Sequence, residues 1–128
     1  MTHQEFQDYV RSQGRRLYRP MLWRERPTFY NVLVSELMLQ QTQVSRVQIK
    51  FAEFMERFPS METLAAADLP EVLQAWQGLG YNRRAHYLHQ AAQHIAKGAK
   101  TKTEADLLAL PGVGPGTTGA IMNYVYQV

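Results

Sequence analysis

At 128 residues the chain has the size of about one ordinary domain and enough length to bury a core, and its 45% hydrophobic, 20% charged and 11% aromatic residues exclude disordered and fibrous classes. Lys and Arg total 14 against 11 Asp and Glu, a net charge of +3 and a mild basic bias. With no cysteine the chain offers no disulfide scaffold, thiolate zinc site or iron–sulfur ligand set; its apolar runs break within a few residues and its start, MTHQEFQDY, lacks a signal-peptide core, so no membrane is expected and the cytosol is the default location.

Every strong pattern along the chain is helical. Thr2 and Glu5 form a capping box ahead of Phe6, Tyr9, Val10 and Leu17, which predicts a first helix. Pro20 and Pro27 bracket a loop containing Trp23 and Arg24. FYNVLVSELML, from residue 29, is too apolar for a surface helix and is expected to be the central, buried one. A third helix follows with Val44, Val47, Phe51, Phe54, Met55 and Phe58 on one face. Ser60 and Asp68 are placed to cap two short helices, the second carrying Pro70 and Glu71 in its first turn. Residues 83–97 read as an amphipathic helix closed by Gly98. Thr103 begins a short helix through Leu108, and a glycine-punctuated turn feeds a last helix. Strand alternation and hairpin signals are lacking, so the expected fold is all-α, one helical domain over residues 1–128.

Charge is uneven along the chain. Arg11, Arg15, Arg16, Arg19, Arg24 and Arg26 face a single acid, Glu25, and from Val72 to Thr103 there is no acid while Arg83, Arg84, Lys97, Lys100 and Lys102 are present. Such local excess suits a face that meets phosphates, and equally suits solvated helix faces. The turn at residues 110–118 is a second, independent signal. Gly112, Gly114 and Gly116 alternate around Val113 and Pro115; glycines permit close backbone approach, and the free N–H groups of a helix start make an anion site. Leu110 and Val113 would anchor the turn in the core, and Thr117 would add a hydroxyl donor. It follows no strand, which argues against dinucleotide-binding and P-loop sites.

LPGVGPGTTGAI resembles the helix–hairpin–helix element of the DNA glycosylase superfamily that includes endonuclease III and the MutY-type adenine glycosylases. Three further segments resemble the adenine branch in the same order: LWRERPTFYNVLVSELMLQQTQV, FMERFPSMETLAAADLPEVLQAWQGLGY and RRAHYLHQAA. The resemblance implies the helix–hairpin–helix glycosylase fold and an adenine glycosylase of base excision repair. It implies release of adenine mispaired with 8-oxoguanine or guanine, and duplex DNA carrying that mispair as the partner of a monomer. It assigns Glu36 as the acid that protonates departing adenine, and Gln41 and Thr42 as contacts to the lesion pair. Tyr81 of GLGY becomes the wedge beside 8-oxoguanine, with Arg83 contacting DNA. Arg19, Trp23, Arg24 and Leu39 match the flipped-base pocket. The glycines Gly112, Gly114 and Gly116, with Thr117, match a phosphate clamp. The carbonyls of Leu108, Leu110 and Val113 match a site for a monovalent or calcium ion.

Two departures bear on the chemistry. Gly116 stands where endonuclease III-like enzymes carry the Schiff-base lysine and adenine glycosylases carry serine or tyrosine, so no lyase step is expected. The family's catalytic aspartate belongs to the segment after the last helix, and its cluster cysteines lie further on still, beyond Val128; this stretch is expected to bind no cluster and to be inactive alone. Ile121, Met122, Tyr124, Val125, Tyr126 and Val128 form an apolar face without a stop signal, as a truncated helix would.

Hydrolysis of an N-glycosidic bond needs an acid on the leaving base and a carboxylate near the oxocarbenium-like sugar. Glu36 is the only acid between Arg26 and Ala52. Among Val34, Leu37, Met38 and Leu39, desolvation is expected to raise its pKa; beside Asn31 and Ser35 it would be exposed, and the resemblance favours the first placement. His86, His89 and His94 have metal-compatible spacing but no carboxylate nearby, and a helix surface suits them better. Tyr81, flanked by Gly80 and by Arg83 and Arg84, suits base stacking and phosphate contact, or a peripheral core position. A non-catalytic helix–hairpin–helix DNA-binding module is the alternative function.

Overall fold

The computed structural model describes residues 28–127, and within them the chain forms seven helices and no strand. They are α1 (Phe29–Leu39), α2 (Val44–Arg57), α3 (Met61–Ala66), α4 (Leu69–Ala75), α5 (Arg83–Ala96), α6 (Glu104–Leu108) and α7 (Pro115–Tyr124). The expected first helix, the basic stretch at residues 11–26 and the pocket candidates Arg19, Trp23 and Arg24 lie outside the described residues.

The central position of α1 follows from its composition. Thr28 caps it, its hydroxyl accepting the Asn31 amide at 3.1 Å. Val32, Leu33, Val34, Leu37 and Met38 are at most 1% exposed, so α1 buries most of its circumference against α2, α5 and α7. Ser35, which the alternative placement of Glu36 would have put beside an open surface, is also fully buried, its hydroxyl donating to the Val32 carbonyl at 3.2 Å. Serine is small enough to face a neighbour when its hydroxyl is satisfied within its own helix. The Tyr30 hydroxyl donates to the Phe58 carbonyl at 2.6 Å, tying the start of α1 to the end of α2, and burial raises the phenol's pKa well above its ordinary value.

The α2 stripe of Val47, Phe51, Phe54 and Phe58 is buried as its spacing requires. Phe54 meets the edge of Trp76 at 6.1 Å between ring centres, and Phe58 at 5.1 Å. Each such side chain withdrawn from water contributes about 1.5–3 kcal/mol. Ser60 caps α3 through the Thr63 amide. Asp68 occupies the N-cap position of α4, but its side chain makes no capping bond.

Helix α5 lies across α3 and α4 and buries Arg84, Ala85, Leu88, His89, Ala91 and Ala92. The surface placement expected of the histidines therefore fails for one of three. His89 lies on the Ala85–Ala92 face, its Nε2 donating to the Ala67 carbonyl at 2.7 Å, while His86 and His94 are exposed. Among the described residues no group of three or more His, Cys, Asp or Glu is placed to hold a metal ion, and no helix is long and apolar enough to cross a membrane.

The apolar face of α7 is also better covered than its sequence suggests. Ile121 is fully buried, and Met122, Tyr124, Val125 and Tyr126 are half-buried against the same core. The Tyr126 hydroxyl donates to the Thr101 carbonyl at 2.6 Å, with the Lys102 ammonium 5.6 Å from its ring centre. The segment ahead of α6 thus folds over the end of α7.

Gly112 and Gly116 carry opposite requirements. Gly112 has φ +76°, and a Cβ built there would lie 2.5 Å from Cβ of Tyr87; at Gly116 a Cβ meets nothing within 4 Å. Gly112→Ala should therefore cost about 2–4 kcal/mol, strain and overpacking together, whereas Gly116→Ala should stay within about 1 kcal/mol of the parent. Urea unfolding followed by helical circular dichroism measures both.

Candidate functional site

The site is built from two loops and one turn. The first loop, residues 40–43, leaves the C-terminus of α1; the second, residues 76–82, joins α4 to α5; the turn at residues 109–114 joins α6 to α7. Arg84, in the first turn of α5, ties the two loops together. One terminal nitrogen, Nη1, donates to the carbonyls of Leu37 at 2.8 Å, Met38 at 2.9 Å and Gln40. The other, Nη2, donates to the Thr42 hydroxyl at 2.8 Å and to the carbonyls of Leu79 and Gly80, both at 3.2 Å. The Thr42 hydroxyl donates in turn to the Leu79 carbonyl at 3.3 Å, Arg46 donates to the Gly78 carbonyl at 3.1 Å, and the Trp76 indole donates to the Gly80 carbonyl at 3.2 Å.

This corrects the phosphate-contact reading of Arg84. The residue is 7% exposed and its donors are taken up by backbone carbonyls of both loops. Burial lowers its pKa, with the adjacent Tyr81 opposing that shift. A guanidinium nonetheless remains a cation, and here the negative end of the α1 dipole receives it. The signal was present in the sequence: Arg84 lies four and eight residues before Leu88 and Ala92, on the same apolar face.

Gln41 and Tyr81 stand where the two loops meet the surface, both exposed, Tyr81 at 62%. Both are non-glycine residues at positive φ, +61° and +52°. The Tyr81 ring centre lies 5.4 Å from the Arg84 guanidinium carbon, and Trp76 lies 5.5 Å from the same carbon. Two grooves flank this ridge. One, of about 860 Å³, is also lined by Arg83, Tyr87 and Gly112; the other, of about 620 Å³, is also lined by Thr42, Arg46 and Gly78. Gln41 and Tyr81 line both. The peripheral-core placement of Tyr81 is thereby excluded.

Across the larger groove stands the glycine turn. Leu110 and Val113 are buried, 5% and 6% exposed, and the Val113 amide closes the turn onto the Leu110 carbonyl at 3.2 Å. Gly114 is the extended N-cap of α7 and brings no side chain to its amides, and Pro115 opens the helix. Gly116 is exposed. Thr117 departs from its expected role as a phosphate donor. It is 4% exposed, and its hydroxyl accepts the Gln40 side-chain amide at 3.2 Å, because the third residue of α7 faces α1. The sequence reading missed Gln40 as this link between α1 and α7. It also missed Tyr87, the residue that Gly112 packs against.

Glu36 and Leu39 lie on α1, both half-buried, so Glu36 is neither on an open surface nor sealed in the core. It lies outside the lining of the two grooves. The structure thus brings Gln41, Tyr81, Arg83 and Gly112 to one groove, places Thr42 on its neighbour, and turns Thr117 inward. Leu108 is exposed at the rim of the hairpin.

Residues 34–125 match the family model described as HhH-GPD superfamily base excision DNA repair protein. The chain is 45% identical over 114 residues to an adenine DNA glycosylase of Mycolicibacterium smegmatis, covering 85% of this chain and 39% of that protein. The fold is similar to a thermostable thymine-DNA glycosylase (TM-score 0.74, 24% identity, 82% of this chain and 50% of that one) and to endonuclease III solved in a non-covalent DNA complex (TM-score 0.72, 18% identity, 100% and 62%). The chain spans between 30% and 39% of the length of three curated relatives, all named adenine DNA glycosylase.

The helix before the turn carries a pH-sensitive cap. Thr103 and Asp106 form a capping box, with the amides of Thr103 and Lys102 donating to the Asp106 carboxylate at 3.1 and 3.2 Å. Desolvation pushes the Asp106 pKa up, but the Thr103 amide and hydroxyl, the Lys102 amide and nearby Lys100 outweigh it and hold it below the ordinary 3.8. The folded value lies below the unfolded one, so the cap's contribution is complete above the unfolded pKa and is lost as pH falls through the folded pKa. The Thr103 and Lys102 amide resonances, followed from about pH 6 to about pH 2, should titrate together with a midpoint below that of a free aspartate. Asp106→Asn should abolish this step.

Proposed function

The chain belongs to the HhH-GPD superfamily of base excision DNA repair proteins, and we propose that it carries the DNA-engaging part and the general acid of an adenine DNA glycosylase. Its substrate in this reading is duplex DNA in which adenine is mispaired with 8-oxoguanine or guanine. The observation that carries the reading is the ridge: an exposed tyrosine held at φ +52° between two grooves, with a helix N-terminus bare of side-chain caps across the larger one. Such a ring is suited to wedge into a base stack, and the amides of the turn are suited to a phosphate.

Glu36 is the acid in this reading. As the bond between adenine and the sugar breaks, its electron pair goes to the base, Glu36 gives the base a proton, and water adds to the oxocarbenium-like sugar carbon with loss of a proton. Half-burial suits a carboxyl that must hold a proton yet reach an extruded base. The resemblance assigns the carboxylate that steadies the sugar to the segment after the last helix. Water is the nucleophile here because Gly116 supplies no amine to the turn, which makes the reaction a hydrolysis without a lyase step. Leu39, Gln41, Thr42, Arg83, Gly112 and Gly114 have binding roles in this reading.

The carbonyls of Leu108, Leu110 and Val113 fit a monovalent or calcium ion by donor type, since carbonyl oxygens are hard ligands. Leu110 accepts the Val113 amide with one lone pair and keeps another. Such an ion would stiffen the turn and add positive charge beside a phosphate.

The decisive measurement is single-turnover release of adenine from an 8-oxoguanine mispair, using a chain extended to the length of the curated relatives. Glu36→Gln is expected to slow release by about 10²–10⁴-fold with duplex affinity nearly unchanged; release that ignores the substitution would refute the acid assignment. Tyr81→Ala is expected to lower affinity for the mispaired duplex by roughly 1–3 kcal/mol and affinity for undamaged duplex by much less. Equal losses on the two duplexes would remove the wedge from the reading.

A further inference from the structure

We infer that Arg84 is the positioning residue of this site: its single guanidinium fixes the two loops against each other, so that Gln41 and Tyr81 meet a duplex as one rigid ridge. The inference deepens the DNA-engaging reading above and rests on it for its functional consequence.

The division of the donors carries the argument. Nη1 serves the end of α1, through Leu37, Met38 and Gln40, while Nη2 serves the second loop, through Leu79 and Gly80. Thr42 lies between them and is held by both Arg84 and Leu79. Each carbonyl belongs to backbone within a few residues of Gln41 or Tyr81. The ring of Tyr81 is steadied as well as its backbone, because its centre lies 5.4 Å from the guanidinium carbon.

Packing alone does not account for an arginine here. An apolar residue on the face of Leu88 and Ala92 would join the core without desolvating a charge, and replacing buried charges by apolar groups is often neutral or stabilising. Arg84 also leaves its Nε buried without a partner, so its reach toward the loops is achieved against a local penalty. What the cation supplies in return is a fixed separation of two loops that each carry a positive-φ, non-glycine residue, a conformation that persists only where its surroundings enforce it. Lysine cannot reproduce this, because one compact ammonium has no fork with which to span both loops.

Two amides report on the loops without DNA: Thr42, which bonds to the Leu39 carbonyl at 3.4 Å, and Leu79, which bonds to the Trp76 carbonyl at 3.2 Å. In Arg84→Lys, hydrogen exchange at both should quicken by about tenfold or more while exchange within α2 stays as in the parent. The ratio of affinities for mispaired and undamaged duplex should fall by about threefold or more. In a Tyr81→Ala background the same substitution should lower that ratio by less, because part of its effect passes through Tyr81. Thr42→Val removes the shared hydroxyl and leaves the carbonyl bonds of Arg84 in place. It should loosen the same two amides to a smaller degree, and it keeps the inference testable if Arg84→Lys folds poorly. Exchange that quickens in one loop only, or uniformly through the helices, would overturn the inference. So would a fall in the affinity ratio of the same size with and without Tyr81. If the parent protein fails to distinguish the two duplexes, the DNA reading fails on its own, and the exchange measurement still decides whether Arg84 couples the loops.

Discussion

The arrangement of this molecule depends on a buried cation that meets carbonyls where a carboxylate would be usual. Removing a charge from water costs several kcal/mol even after relaxation. Arg84 recovers this through bonds to carbonyls of both loops and to one hydroxyl, each hydrogen bond to a charged group being worth about 1.5–3 kcal/mol. The end of α1 is well suited to the task, since its last carbonyls have no partner within the helix and carry the negative end of its dipole. A carboxylate would have satisfied the same guanidinium at a single point. Carbonyls from two segments make it a brace, and the exposed ridge is what the brace holds in place.

The glycine turn solves a related problem on the other side of the groove. Gly112 must be glycine on two counts, its positive φ and its contact with Tyr87 of α5. The second sets the turn close against the helix whose first turn carries Arg84. Gly116 answers to neither constraint, as its position opens on free space. A side chain at position 116 would thus be tolerated by the packing of the described residues.

Thr117 and Gln40 show how the two halves of the site meet. Their hydrogen bond joins residues 77 positions apart, and it places the start of α7 against the helix that carries Glu36. Glu36, the ridge and the turn are thus referred to one element, α1, which is buried on nearly every side. A central helix with so little freedom is a rigid base from which loops can present functional groups.

Much of this was legible in the sequence. The 3.6-residue period, the caps at Ser60 and Thr103 and the glycine and proline positions determine the helices, because these are local preferences of backbone and side chain. The predominantly apolar composition of residues 29–39 by itself placed α1 at the centre, and the motifs that resemble the glycosylase superfamily singled out Glu36, Tyr81 and the hairpin as candidates. Tertiary structure alone decided which polar groups turn inward. The helical period puts Arg84 and His89 on the apolar face of their helix, but their burial, like that of Thr117, is permitted only where distant backbone or side-chain groups arrive to complete their hydrogen bonds. The carbonyls of Leu37 and Met38, the amide of Gln40 and the carbonyl of Ala67 come from segments between 22 and 77 residues away, and only the folded chain brings them there.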